Sequence, residues 1–240
     1  MEYKLKLQAM NFRNRFGYNS SEPINFLSLL QSIDVLTVFK PLSDDFSGLS
    51  FKEAQDMFML VNSSHSLGRQ NFTIGHELYH LFYDTAFKPH KCSTGQFQTK
   101  NQNEFWADIF ASHLLLPAEG IANLIPDDEF HKDSIRLGTL LKIEQTFQSS
   151  RAALLHQLSK MNLASKAFIE KYSSGIKNGA LQYGYSTLLY EPSGDIKVLG
   201  AYGSLANRLY DENRISEGHY RELLIAIGVD FNELIEDEEH

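Results

Sequence analysis

The chain has 240 residues, 42% of them hydrophobic and 22% charged, with a formal net charge of −8. That composition is ordinary for a globular protein of one large domain or two small ones, and it excludes wholesale disorder. The acidic balance argues against a protein that coats nucleic acid non-specifically, since phosphate binding runs on clustered Lys and Arg. The single cysteine, Cys92, permits no intramolecular disulfide and fits a reducing compartment. The first residues lack the apolar run of a signal peptide, and no stretch of about 18 apolar residues follows, so a cytoplasmic protein without membrane contact is expected.

Residues 1–20 carry little periodic signal. Ser21-Glu22-Pro23 reads as the start of a helix running through Phe26, Leu27, Leu30 and Ile33. Val35 to Phe39 is β-branched and aromatic and reads as a strand, Pro41 to Gly48 as a loop, and Met57 to Val61 as a second strand. From Asn71 the period becomes helical, with Ile74, Leu78, Leu81 and Phe82 on one apolar stripe. Thr73, His76, Glu77, His80 and Asp84 form a second, titratable stripe on the same helix. Residues 85–102 read as a long loop. Glu104 to Leu116 reads as a helix that is apolar almost all round, stopped by Pro117. Asp133 to Met161 holds two helices around Phe147-Gln148-Ser149-Ser150, a helix-turn-helix shape. Two short strands are expected within 180–200 around Pro192-Ser193-Gly194, then helices at about 203–212 and 216–227.

His76-Glu77-Leu78-Tyr79-His80 is an H-E-x-x-H segment on a predicted helix. Spacing of four puts both imidazoles on one face, within reach of one metal ion. Glu77 lies one residue off His76 and can face water instead of metal, as the catalytic general base. A catalytic site needs three protein ligands and an open position. Glu104, 24 residues after His80, begins the apolar helix and is the candidate third ligand. Asp108, one turn on, can accept a hydrogen bond from the far ring nitrogen of His76 or His80. Zinc suits two His and one carboxylate, and manganese or ferrous iron tolerate similar sets. Tyr83, His113, Arg69 and His90 are candidates for stabilising the oxyanion or contacting substrate.

The run Arg69 to His80, followed by Glu104-Phe105-Trp106-Ala107-Asp108-Ile109-Phe110-Ala111-Ser112-His113-Leu114-Leu115-Leu116-Pro117, resembles the ImmA/IrrE metallopeptidases, themselves similar to gluzincins. Val61-Asn62-Ser63 upstream and the helix-turn-helix shape downstream extend the resemblance over roughly residues 20–165. It implies an antirepressor that cleaves a helix-turn-helix repressor of the Xre type, encoded nearby. Tyr79 stands where that family usually has Gly, Trp106 where it often has Glu, Asp108 where it has Asn, and Leu116 where it has Met.

The expected fold is α+β. A zincin-like metallopeptidase domain spans 1–128, with a short mixed sheet from residues 35–61 packed on the H-E-x-x-H helix and the Glu104 helix. A helix-turn-helix-like helical subdomain follows at 129–175 and a small α/β region at 176–240. The rival expectation is a non-proteolytic regulatory module that binds a partner or DNA through the helix-turn-helix part, or a toxin–antitoxin component, with a vestigial or sensory metal site. Arg151, His156, Gln157 and Lys160 make a thin basic set for reading DNA, so direct operator binding is not favoured. Nothing in the pattern sets an oligomeric state.

Overall fold

The structure is a computed structural model that describes residues 1–84 and 101–231. Helix α1 (Glu2–Arg15) occupies the stretch in which the sequence shows no clear period. Its Leu5, Ala9 and Phe12 face the core, while Tyr3, Leu7 and Met10 repeat the same spacing on the exposed side. Two apolar stripes on opposite faces cancel as a moment, which hides the helix from periodicity. Helix α2 (Phe26–Ser32) starts later than Ser21-Glu22-Pro23 suggests. The Asn25 side chain caps it by accepting from the Ser28 N–H at 3.1 Å. Ser21 and Glu22 instead donate their N–H groups to Asn19 Oδ1 at 2.8 and 2.9 Å, a side-chain turn that competes with helix.

Strands β1 (Val35–Lys40), β2 (Gly48–Glu53), β3 (Asp56–Asn62) and β4 (Lys197–Leu199) form one mixed sheet in the order β2-β3-β1-β4. β1 runs parallel to β3, with Val35 opposite Met57 and Phe39 opposite Val61. β2 and β3 make an antiparallel hairpin. Sequence reading misses β2 because its turn is Ala54-Gln55, with Ala54 at φ 52°, where an Asn or Gly would have announced it. β4 pairs antiparallel with β1 and so extends the sheet beyond the expected residues 35–61. It is the only strand within 180–200 among the described residues. Helix α9 (Ile176–Gln182) and a 3-10 turn at Leu188–Tyr190 stand where a second strand was expected. Pro192, lacking an N–H, joins only an isolated bridge to Ser66.

Against the sheet lies α3 (Leu67–Tyr83), and α4 (Gln102–Leu115) packs on α3, not on the sheet as the sequence reading expects. α1 packs on the far side of α4. Arg13 locks that junction: buried, it donates to the carbonyl oxygens of Asn19 at 2.9 Å, Leu114 at 2.5 Å and Glu22. Burial pulls its pKa down to about 10, so it remains cationic at neutral pH. After α5 (Ala118–Ala122) come α6 (Leu137–Phe147) and α7 (Arg151–Lys160), joined by Gln148 in the left-handed region and capped by Ser150, which accepts from Ala153 N–H at 3.3 Å. α8 (Lys166–Tyr172) precedes α9, and α10 (Tyr202–Asp211) and α11 (Glu217–Ile225) end the described chain. Among the described residues no helix is long and apolar enough to cross a membrane. The architecture is α+β, as expected.

Arg13→Ala strands three backbone acceptors at the α1–α4 junction. It is expected to cost on the order of 3 kcal/mol, read as a lowered urea midpoint at unchanged m-value.

Candidate metal centre

α3 and α4 approach closely because small residues meet where they cross: a Cβ built on Gly75 would lie 3.3 Å from the Ala111 Cβ. Side-chain contacts then pair Asp84 with Asn103, His80 with Glu104 and His76 with Asp108, the order of two antiparallel helices. The apolar stripe of α3 turns Ile74, Leu78 and Leu81 into the core, which leaves His76, Glu77 and His80 on the face toward α4 and β2. That face is covered: His76 and His80 are 1% exposed, Glu77 0% and Glu104 9%.

His76 Nε2 lies 3.2 Å from Glu104 Oε2, His80 Nε2 lies 3.2 Å from Glu104 Oε1, and the two Nε2 atoms are 3.3 Å apart. Behind them, His76 Nδ1 meets Asp108 Oδ1 at 2.9 Å and His80 Nδ1 meets Asp84 Oδ2 at 3.1 Å. An ionised carboxylate only accepts hydrogen bonds, so each Nδ1 carries the proton and each neutral ring offers Nε2 as a bare lone pair. Two lone pairs and a carboxylate facing one another repel unless a cation sits among them. Ligands held at about 2.0–2.1 Å around a tetrahedral dication stand about 3.3 Å apart, close to the observed separations. The residues present therefore fit a metal ion, and among the described residues they are the one such group.

Glu77 makes its hydrogen bond to the sheet. Ser50 on β2 donates its Oγ–H to Glu77 Oε2 at 2.7 Å, while Oε1 is buried with no hydrogen-bond partner among the described residues. A buried carboxylate oxygen left so is costly, and a water is the natural donor to satisfy it. Gly48 leaves room beside it: a Cβ there would come 3.1 Å from Glu77 Oε1 and 2.6 Å from Thr73 Cγ2.

With two imidazoles and two buried carboxylates gathered from H-E-x-x-H and a second helix, the chain can be placed. The peptidase M78 model, an IrrE N-terminal-like domain, matches residues 30–159, more than half of the sequence. The chain belongs to this family. Comparison with curated proteins finds no significant match.

Not every residue singled out in the sequence joins the M78 site. The Tyr83 hydroxyl donates to Gln8 O of α1 at 3.1 Å, and its ring packs on Tyr79, Phe12 and Phe110. His113 lines a small pocket with Lys6, Met10 and Pro117, and burial lowers its pKa. Arg69 donates to Ser47 Oγ at 3.1 Å, two turns before His76. His90 and Cys92 lie outside the described residues. Tyr79, where the family usually has Gly, is buried against Tyr83 and Phe110, and burial pushes its hydroxyl pKa up to about 12. Asp108 serves His76. Ser50 and Gly48 were not legible as site residues, because β2 itself was not. Asp84 stood on the polar stripe, and its spacing of four from His80 was the available signal.

Gly48→Ala is expected to destabilise the fold by about 1–3 kcal/mol through overpacking. Adding Thr73→Ser, which removes the clashing Cγ2, should recover much of that loss in thermal melts; a double variant no better than the single one would show that the strain lies elsewhere.

Proposed function

We propose that this M78 protein is a cytoplasmic zinc endopeptidase that cuts a helix-turn-helix repressor of the Xre type and so acts as an antirepressor. One observation carries the peptidase reading: three groups that could hold a metal converge next in sequence to a buried carboxylate that is fixed at one oxygen and, among the described residues, unpartnered at the other. His76, His80 and Glu104 would hold zinc, and Asp108 and Asp84 orient the imidazoles. When bound, zinc would polarise the scissile carbonyl and acidify water.

Glu77 supplies the proton chemistry. Its Oε1 accepts a proton as the water oxygen attacks the carbonyl carbon, and the same carboxyl returns a proton to the amide nitrogen as the C–N bond breaks. Ser50 limits the freedom of the other oxygen, so Oε1 is held for the task without reorganisation. The repressor as substrate comes from the family resemblance, and the cytoplasm fits the single cysteine.

We infer that α7 is a packing helix and not a DNA reader. Arg151 is buried against Glu144, and Gln157 is buried between Ser112 Oγ and Leu116 O at 2.9 and 3.0 Å. Lys160 pairs with Glu2 at 3.4 Å.

Purified protein equilibrated with zinc and desalted should hold about one zinc per chain, as a catalytic three-ligand site requires, and Glu104→Ala should lose it on elemental analysis. Glu77→Gln should keep the metal and abolish cleavage of a co-expressed Xre-type repressor. No stoichiometric metal in the wild type overturns the reading. If Glu77→Gln leaves the cellular effect intact while Lys160→Ala removes it, the chain acts as a binding module instead.

A further inference from the structure

Each imidazole of the trio has its own orienting carboxylate, and the two are built differently. Asp108 reaches His76 from the middle of α4. Asp84 reaches His80 from the end of its own helix, where its backbone has left the helical region at φ −87° and ψ 99°. A negative charge at a helix C-terminus opposes the macrodipole and is locally unfavourable. The Asp84 side chain is nevertheless shielded there, 6% exposed, with the residue's own N–H bonded to Tyr79 O at 3.2 Å. Asn103 Nδ2 approaches both Asp84 oxygens, at 3.2 and 3.4 Å. Asn103 in turn precedes Glu104 and donates its backbone N–H to the capping side chain of Asn101 at 3.0 Å. A continuous hydrogen-bonded chain therefore joins the His80 ring to the start of the helix that carries Glu104.

We propose that Asp84 and Asn103 are positioning residues that fix the His80 ring and Glu104 relative to each other, presetting the geometry of the metal centre. This rests on the metal-centre reading above. A carboxylate behind a ligating histidine fixes the tautomer and raises ligand basicity, and its loss weakens metal affinity roughly 10–100-fold. The Asp84 effect should depend in part on Asn103, which holds the carboxylate in register and touches neither imidazole.

The test is zinc affinity by chelator competition for the full-length wild type, Asp84→Ala, Asp84→Asn, Asn103→Ala and the Asp84→Ala/Asn103→Ala double variant. Melting of the metal-free forms is measured beside it. Asp84→Ala should bind zinc roughly 10–100-fold more weakly. Asp84→Asn, whose carbonyl still accepts from Nδ1–H, should lose less. Asn103→Ala should weaken binding in the wild type and add nothing to Asp84→Ala. In zinc-loaded protein the hydrogen-bonded Nδ1–H proton of His80 should give a downfield NMR resonance, lost in Asp84→Ala and kept in Asp84→Asn. A purely structural role would move the melting of the metal-free forms and leave affinity alone. Zinc affinity of Asp84→Ala within about twofold of wild type, far below the usual cost of such a loss, overturns the proposal while the peptidase reading stands. Should Asp84→Ala fail to fold, unchanged affinity in both Asp84→Asn and Asn103→Ala overturns it. A wild type that binds no zinc overturns both.

Discussion

The close antiparallel contact of α3 with α4 is the constraint on which the site depends. Gly75 and Ala111 let the two backbones approach, and from that contact outward the facing residues fall into register. The result concentrates Glu77, Asp84, Glu104 and Asp108 around two imidazoles in a region almost shut off from water. Burying that many ionisable groups is unfavourable unless they are paired or bound to metal. The helices supply the apolar faces that make the approach favourable, and the ionisable cluster gives it a purpose. A bulkier residue at Gly75 would separate ligands that must stay about 3.3 Å apart to share one ion.

The rest of the fold braces α3. β2 covers Glu77 from the sheet side through Ser50, with the Gly48 backbone passing close beside it. The C-terminal part of the chain returns to the other end of the helix. Leu67 N–H bonds to Glu191 O at 3.1 Å, Gln70 Nε2 reaches Ser193 Oγ at 3.3 Å, and β4 then closes onto β1. Tyr190 ties this return to the helical part by donating to Glu144 at 2.6 Å, the carboxylate that also holds Arg151. Burial raises the Glu144 pKa, while the hydrogen bonds from Arg151 and Tyr190 pull against that shift. Polar groups that could have faced a partner are thus engaged inside the molecule, and the α6–α7 unit serves as support for the metal helix.

The amino-acid sequence by itself determined the family and the residues that could hold a metal. H-E-x-x-H at helical spacing, a Glu opening an apolar helix and an acid one turn later need no tertiary knowledge, because ligand type and helical period are local properties. Strands β1 and β3, the helices α6 and α7 and the α+β class were legible for the same reason: each has a pattern of its own. Only the tertiary structure decided the rest. α1 shows no moment because it is apolar on two faces, and β2 has neither a long alternation nor a turn residue to mark it. Which acid serves which histidine, that Ser50 holds Glu77, and that Tyr83, His113 and Arg69 turn to other partners follow from how distant segments meet. No local period encodes those meetings; they are set when Gly75 finds Ala111 and the sheet closes over Glu77.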